Sequence, residues 1–154
     1  MPYTSHVNEK IDGIDEKILR LLGLLYRTEK TTEAHINPLL QPIGLTCAQH
    51  QVLQHLIMAG EPLPLGLIAE KLHSVRSNVT QMVDRLAAEG LVERVFDPAD
   101  RRRVLAQITQ EGHRRFEAAS QLERQVVQEL GTYFSQEERD QLIILLSRLE
   151  KAWA

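Results

Sequence analysis

Between residues 65 and 112 the hydrophobic period of the chain changes twice. Leu67, Ile68 and Leu72, then Val79, Met82, Val83 and Leu86, recur at the spacing of one buried helix face. From Leu91 onward the helical spacing gives way to two short runs, Leu91–Phe96 and Val104–Ile108, rich in β-branched and apolar residues. Between them lies Asp97-Pro98-Ala99-Asp100-Arg101-Arg102-Arg103, which reads as the long turn of a hairpin. At Thr109 a helical period resumes. Two short helices, a hairpin with a basic tip and a longer helix, each joined by a brief turn, leave few ways to fold.

The flanking sequence extends this reading. Ile11, Ile14, Ile18, Leu21, Leu22 and Leu25 form one stripe on a first helix, residues 9–34, expected to end before Pro38. Residues Asn37–Gly44 are expected to be a connector. Thr46-Cys47-Ala48-Gln49 fits a capping box and opens a second helix through Val52, Leu53, Leu56 and Ile57, stopped by Gly60. Pro62 and Pro64 stiffen the next connector, a short third helix follows, and a fourth spans residues 75–89. Thr109 caps a fifth helix through Phe116, Leu122, Val126 and Leu130. Ser135-Gln136-Glu137-Glu138 is a second capping box, opening a last helix with Leu142, Leu145, Leu146, Leu149 and Trp153 as its stripe. The predicted fold is mainly α with a small β-hairpin wing. A winged helix-turn-helix, residues 41–112, is flanked by N- and C-terminal dimerisation helices, residues 1–40 and 113–154. The outer stripes exceed what so small a core can cover, so a second copy of the chain is the expected partner.

At 154 residues, 43% apolar and 25% charged, the chain suits one compact domain, or one small domain carried on dimerising helices. No apolar run is long enough to span a bilayer and the N-terminus lacks a signal-peptide core, so a cytoplasmic protein is expected. One cysteine excludes a disulfide framework within the chain. Paired catalytic carboxylates, a Ser-His-Asp order, a phosphate-cradling glycine loop and a metal motif are not found, so no enzyme, cofactor or metal is expected. His50 and His55, five apart on one helix, point about 140° apart and lack the spacing of a helical metal site.

The net charge of −3 argues against nucleic acid, but its distribution does not. Residues 61–115 hold nine Lys and Arg against eight Asp and Glu, a net of +1, leaving −4 for the rest. A helix can enter a major groove while a basic hairpin reaches the adjacent minor groove. On the fourth helix Arg76, Ser77, Thr80, Gln81 and Asp84 face away from the Val79/Val83/Leu86 stripe. Arg76 suits a guanine edge, Gln81 an adenine, and Ser77 and Thr80 a phosphate or a thymine methyl. Ser74 and Asn78 complete the candidate DNA face of this helix. Arg85 is either a phosphate contact or half of an internal Asp-Arg pair tying helix to wing. Arg101 and Arg103 suit backbone phosphates.

The pieces LTCAQHQVL (45–53), LIAEKL (67–72), R-S-x-V-T-x-x-V-D-R-L (76–86), EGLVER (89–94), DPADRR (97–102) and ITQEG (108–112), in this order and spacing, resemble the MarR family of bacterial transcription regulators. The resemblance covers nearly the whole chain. It implies a homodimer that binds a pseudo-palindromic operator on double-stranded DNA, usually as a repressor, and is released by a small ligand or by oxidation. It also implies that Arg102 enters the minor groove, oriented by Asp100. The family usually carries Gly at the position of His73 and a Ser or Asp cap at the position of Val75. Here Ser74 is expected to take over the cap.

The sensor has two readings. A small organic effector would sit between the dimerisation helices and the winged helix, with Tyr26, Arg27, Cys47, His50 and Gln54 as candidate lining groups and Arg27 suited to a carboxylate. Alternatively Cys47, in the first turn of the second helix, is an oxidant sensor, its thiolate favoured by the helix dipole. A third class, a helical interaction module that has lost DNA binding, is opposed by the intact Asp100-Arg102 tip.

Overall fold

The computed structural model describes residues 15–153. The elements are α1 (Glu16–Leu40), a 3-10 turn (Gln41–Ile43), α2 (Cys47–Ala59), β1 (Leu63–Pro64), α3 (Leu65–Lys71), α4 (Arg76–Ala88), β2 (Val92–Phe96), β3 (Val104–Ile108), α5 (Gln110–Tyr133) and α6 (Gln136–Trp153). The mainly α fold with a hairpin wing is as expected. The chain divides into two compact units between His35 and Ile36. The first unit contains most of α1, whose Ile18, Leu21, Leu22 and Tyr26 are exposed and whose Lys30 pairs with Glu33 at 3.6 Å. Its expected start, at residue 9, lies outside the described residues.

The second unit is built around α2. Val52, Leu53 and Leu56 are fully or almost fully buried against Ile68 of α3, Val79, Val83 and Leu86 of α4, Ala106 of β3 and Ala119 of α5. The capping box at Thr46 is present: its hydroxyl accepts from Gln49 N at 3.2 Å, and Gln49 Oε1 accepts from Thr46 N at 2.9 Å. Ser135 and Glu138 make the same reciprocal pair at the start of α6, at 2.8 and 3.2 Å.

Four expectations need correction. The helix of α1 passes through Pro38 to Leu40, so residues 37–40 are not connector. Pro38 lies in the last turn, where the missing N–H costs a single bond. The connector's remaining residues form the 3-10 turn, and Gly44 closes it at φ +75. Leu67 is exposed, and α3 instead buries Leu65, Ile68 and Ala69. The segment around Pro64 is not only a connector, because β1 adds a third antiparallel strand, in the order β1-β3-β2, with Leu63 opposite Ala106 and Pro64 opposite Leu105. Proline is tolerated there because β1 is an edge strand. Finally, Ser74 does not cap α4: Val75 is the N-cap, without a side-chain bond.

Helix α6 buries no residue, and Leu142, Ile143, Ile144, Leu145 and Leu146 are exposed along it. Val127, Leu130 and Tyr133 on α5 are exposed as well.

Candidate nucleic-acid interface

The turn from α3 to α4 closes by a double backbone bond, His73 N to Glu70 O at 3.1 Å and Ser74 N to Ala69 O at 2.9 Å. This pattern requires a left-handed residue just past the helix end, and His73 supplies it at φ +47. His73, where the family resemblance implies a glycine, therefore holds an imidazole in the left-handed conformation that glycine favours. A non-glycine residue pays about 1–2 kcal/mol for that conformation. The exit from α4 uses the same geometry with Gly90 at φ +73, and Leu91 N reaches Leu86 O at 2.9 Å.

Between these two turns α4 presents Arg76, Ser77, Asn78, Gln81, Asp84 and Arg85 to solvent, with Thr80 half-buried. Thr80 donates its hydroxyl proton to Arg76 O at 2.9 Å, so toward a ligand it offers its methyl group and an oxygen lone pair. Ser74 is half-buried in the turn itself.

Strands β2 and β3 run in antiparallel register from Val92↔Ile108 to Phe96↔Val104. Asp97 N bonds Arg103 O at 3.0 Å, closing the tip, and Arg103 N bonds Asp100 O at 2.8 Å. Within the tip Asp100 Oδ1 accepts from Arg102 N at 3.1 Å and from Arg102 Nε at 3.2 Å. The Arg102 side chain, and then its backbone N–H, hold the Asp100 carboxyl below the usual range. Arg102 is nevertheless 91% exposed, a guanidinium projected outward from its clamp. Arg103 lies 3.8 Å from the Asp97 carboxylate, and Arg101 is exposed.

Helix and wing enclose one open cleft of about 770 Å³. Arg76 and Thr80 line it from α4, Arg94, Arg102 and Arg103 from the hairpin, and Glu70 from α3. Of the expected site residues, Arg76, Thr80, Arg102 and Arg103 thus meet in one place. The sequence reading missed Arg94. Strand alternation was the available signal: Arg94 shares the face of the buried Val92, carried past the edge of the core. Its guanidinium Nη2 donates to Asp84 Oδ1 of α4 at 2.6 Å. The helix-to-wing pair expected at Arg85 therefore belongs to Arg94, and Arg85 makes no ion pair among the described residues.

The base of the wing is locked to α5. Thr109 Oγ1 caps Gly112 N at 3.0 Å and donates to Gly90 O at 2.7 Å, while Thr109 N bonds Leu91 O at 3.0 Å. Arg115 joins Glu89 at 2.8 Å and Glu111 at 3.6 Å, tying the start of α5 to the end of α4.

The candidate sensor residues are distributed differently. Tyr26 and Arg27 lie on α1 in the first unit, with Tyr26 exposed. Cys47 is the first residue of α2, half-buried, its N–H donating to Asn37 Oδ1 at 2.8 Å. Gln54 is exposed. His50 is 3% exposed, stacks on Phe116 with ring centroids 4.6 Å apart, and contacts Glu123 Oε1 through Nδ1 at 2.8 Å. Burial pushes the imidazole down and the Glu123 carboxyl up from their ordinary values. Nδ1 faces the carboxylate, and Nε2 is buried without a hydrogen-bond partner.

The sequence matches the model of the MarR family over residues 43–103. It is 34% identical over 97 residues to the HTH-type transcriptional regulator MhqR of Bacillus subtilis, covering 63% of this chain and 66% of that one. It is 33% identical over 135 residues to the multiple antibiotic resistance protein MarR of Escherichia coli, covering 86% and 92%. The crystal structure of a cysteine-to-serine mutant of that MarR complexed with operator DNA superposes with a TM-score of 0.80 at 29% identity, over 86% of this chain and 95% of that one. CouR from Rhodococcus jostii, bound to p-coumaroyl-CoA, superposes with a TM-score of 0.73 at 26% identity, over 82% and 88%. The shared helix-turn-helix and wing, and the near full-length match to the E. coli protein, place this chain in the MarR family of winged-helix transcriptional regulators.

Proposed function

We propose that this protein is a cytoplasmic, sequence-specific regulator, acting chiefly as a repressor, that binds an inverted-repeat operator as a homodimer. The observation that carries the reading is the cleft in which Arg76 and Thr80 of the helix meet Arg94, Arg102 and Arg103 of the wing. Exposed α4 residues Ser77, Asn78, Gln81 and Arg85 extend that surface toward base edges and phosphates, and Arg101 extends it at the tip. Arg102 is the minor-groove residue, with Asp100 aiming it. The exposed apolar residues of α1, α5 and α6 support dimerisation, since single protomers rarely leave so much apolar helix surface in water. The operator complex of the E. coli relative supports DNA as the partner, and the acyl-CoA complex of CouR supports release by a small organic effector. Binding of such an effector acts only through unequal affinity for the DNA-competent and incompetent dimers.

The test is selection of bound duplexes from a random-sequence pool. An inverted repeat is expected in the bound fraction, with affinity falling steeply with salt. On the selected duplex, Arg102→Ala is expected to lose about 1–3 kcal/mol. Wild-type affinity in that variant at matched salt refutes the wing assignment.

A further inference from the structure

The Asp84–Arg94 pair joins the two DNA-facing elements at a point where their mutual angle matters most. Helix α4 and strand β2 form a V whose apex is Glu89-Gly90-Leu91. The apex is anchored by Leu86, Leu91 and Val92, all essentially buried. Asp84 lies five residues back from Glu89, about 7.5 Å along the helix axis, and Arg94 lies three residues beyond Leu91, about 10 Å along the strand. The 2.6 Å bond between them closes the V into a triangle.

We propose that Asp84 and Arg94 form a crossbar that fixes the angle of the wing to the recognition helix, making Asp84 a positioning residue for operator reading. This rests on the DNA-binding reading above. The lever arm explains why the angle needs fixing. From Leu91 to Asp97 the hairpin extends six residues, about 20 Å, so a 5° swing at the apex moves the tip by about 1.7 Å. A displacement of about 1 Å is enough to spoil a positioned contact. The tip is fixed internally by the Asp97 and Asp100 bonds, but those do not set its angle to α4. Strand β2 is an edge of the sheet, with β3 as its single strand neighbour, so no further strand braces it.

The chemistry of Asp84 supports the same assignment. A carboxylate on the exposed side of a DNA-facing helix is repelled by phosphate unless a cation holds it. Arg94 does so, and a bond from one of its nitrogens commits the guanidinium without removing it from the cleft, which it lines beside Arg76 and Thr80. As a partly exposed ion pair it adds little to overall stability. Its effect is expected in discrimination between sequences.

The experiment compares Asp84→Asn, Arg94→Gln and the double variant in the full-length protein. Affinity is measured for the duplex selected by the wild type and for a scrambled duplex of equal length. In the free protein, amide hydrogen exchange of residues 92–108 is followed, with the α2 core as internal reference. Asp84→Asn removes a negative charge, so simple electrostatics predicts tighter binding to both duplexes. The crossbar predicts about tenfold weaker binding to the selected duplex, unchanged or tighter binding to the scrambled one, and faster exchange in the wing alone. The double variant is expected to lose no more specificity than the worse single one. Selected-duplex affinity equal to or above wild type, or a parallel loss on both duplexes with faster exchange in α2, overturns the proposal. If the wild type selects no duplex, the DNA reading fails, and unchanged wing exchange in Asp84→Asn then overturns the crossbar separately.

Discussion

Gly112 is the position where one added carbon should do most damage. A Cβ built there lies 2.1 Å from Leu91 O and 2.7 Å from Ile108 Cγ1. A carbon–oxygen contact needs about 3.3 Å, so the Leu91 carbonyl or the start of α5 must retreat by more than 1 Å. Neither can move alone. Leu91 O accepts from Thr109 N, whose hydroxyl caps Gly112 N and donates to Gly90 O. Breaking the cap costs about 1 kcal/mol, losing one backbone bond about 1, and residual overpacking about 1–3. Replacing a helical glycine by alanine returns about 1. Gly112→Ala is therefore expected to destabilise by about 2–4 kcal/mol. Gly66→Ala is the control: its Cβ meets nothing within 4 Å, and α3 should gain up to about 1 kcal/mol. Urea unfolding followed by far-UV circular dichroism, at one fixed protomer concentration, measures both. A Gly112→Ala midpoint within about 0.5 kcal/mol of wild type, with unchanged slope, would refute the packing argument.

Three further outcomes follow from local geometry. Thr46→Ala removes half of the α2 capping box and should cost about 1 kcal/mol in the same unfolding assay. His73→Gly relieves the left-handed strain at φ +47 and should raise stability by about 0.5–1 kcal/mol after the entropy of the unfolded glycine is counted, whereas a loss would mean the imidazole makes a compensating contact. His50 gives a pH signature: its folded pKa lies below the ordinary value, so its contribution is intact above the unfolded pKa of about 6.5 and declines as pH falls below it. The raised Glu123 pKa has the opposite sign, because folding there takes up a proton. The stability difference between wild type and His50→Gln should thus shrink between pH 7.5 and 5.5, and parallel curves would remove His50 from the acid response.

Where local rules act alone, the sequence was a reliable guide. Both capping boxes, the Thr109 cap, the hairpin and the Val79/Val83/Leu86 stripe depend on neighbours within a few residues, and all are present. The misses arise where tertiary context decides. Helix α3 spans seven residues, too few turns for periodicity to fix which face is buried, and Leu67 turned out to face solvent in place of Leu65. Strand β1 is two residues long and exists only because β3 lies alongside it. Arg94 was counted as a charge without a role, since its bond to Asp84 depends on the angle at which the chain leaves α4. The environment of His50 involves Phe116 and Glu123, more than sixty residues away.

The arginines of the cleft explain how a chain of net charge −3 can serve the proposed function. Three of those on the wing stand beside a carboxylate of this protein: Arg94 with Asp84, Arg102 with Asp100 and Arg103 with Asp97. Each carboxylate weakens the long-range pull on phosphate, which is the part of binding that ignores sequence. Each also narrows the range of positions open to a long side chain, so less conformational entropy is lost when that side chain docks. The exchange lowers affinity for arbitrary duplex while sparing affinity for one whose groove width and half-site spacing match the fixed guanidinium positions. A broad lysine-rich surface would do the reverse. Under the proposed function the acids of the interface, Asp84, Asp97 and Asp100, are part of the reading device, and neutralising them should leave binding to arbitrary duplex unchanged or tighter while weakening binding to the selected operator.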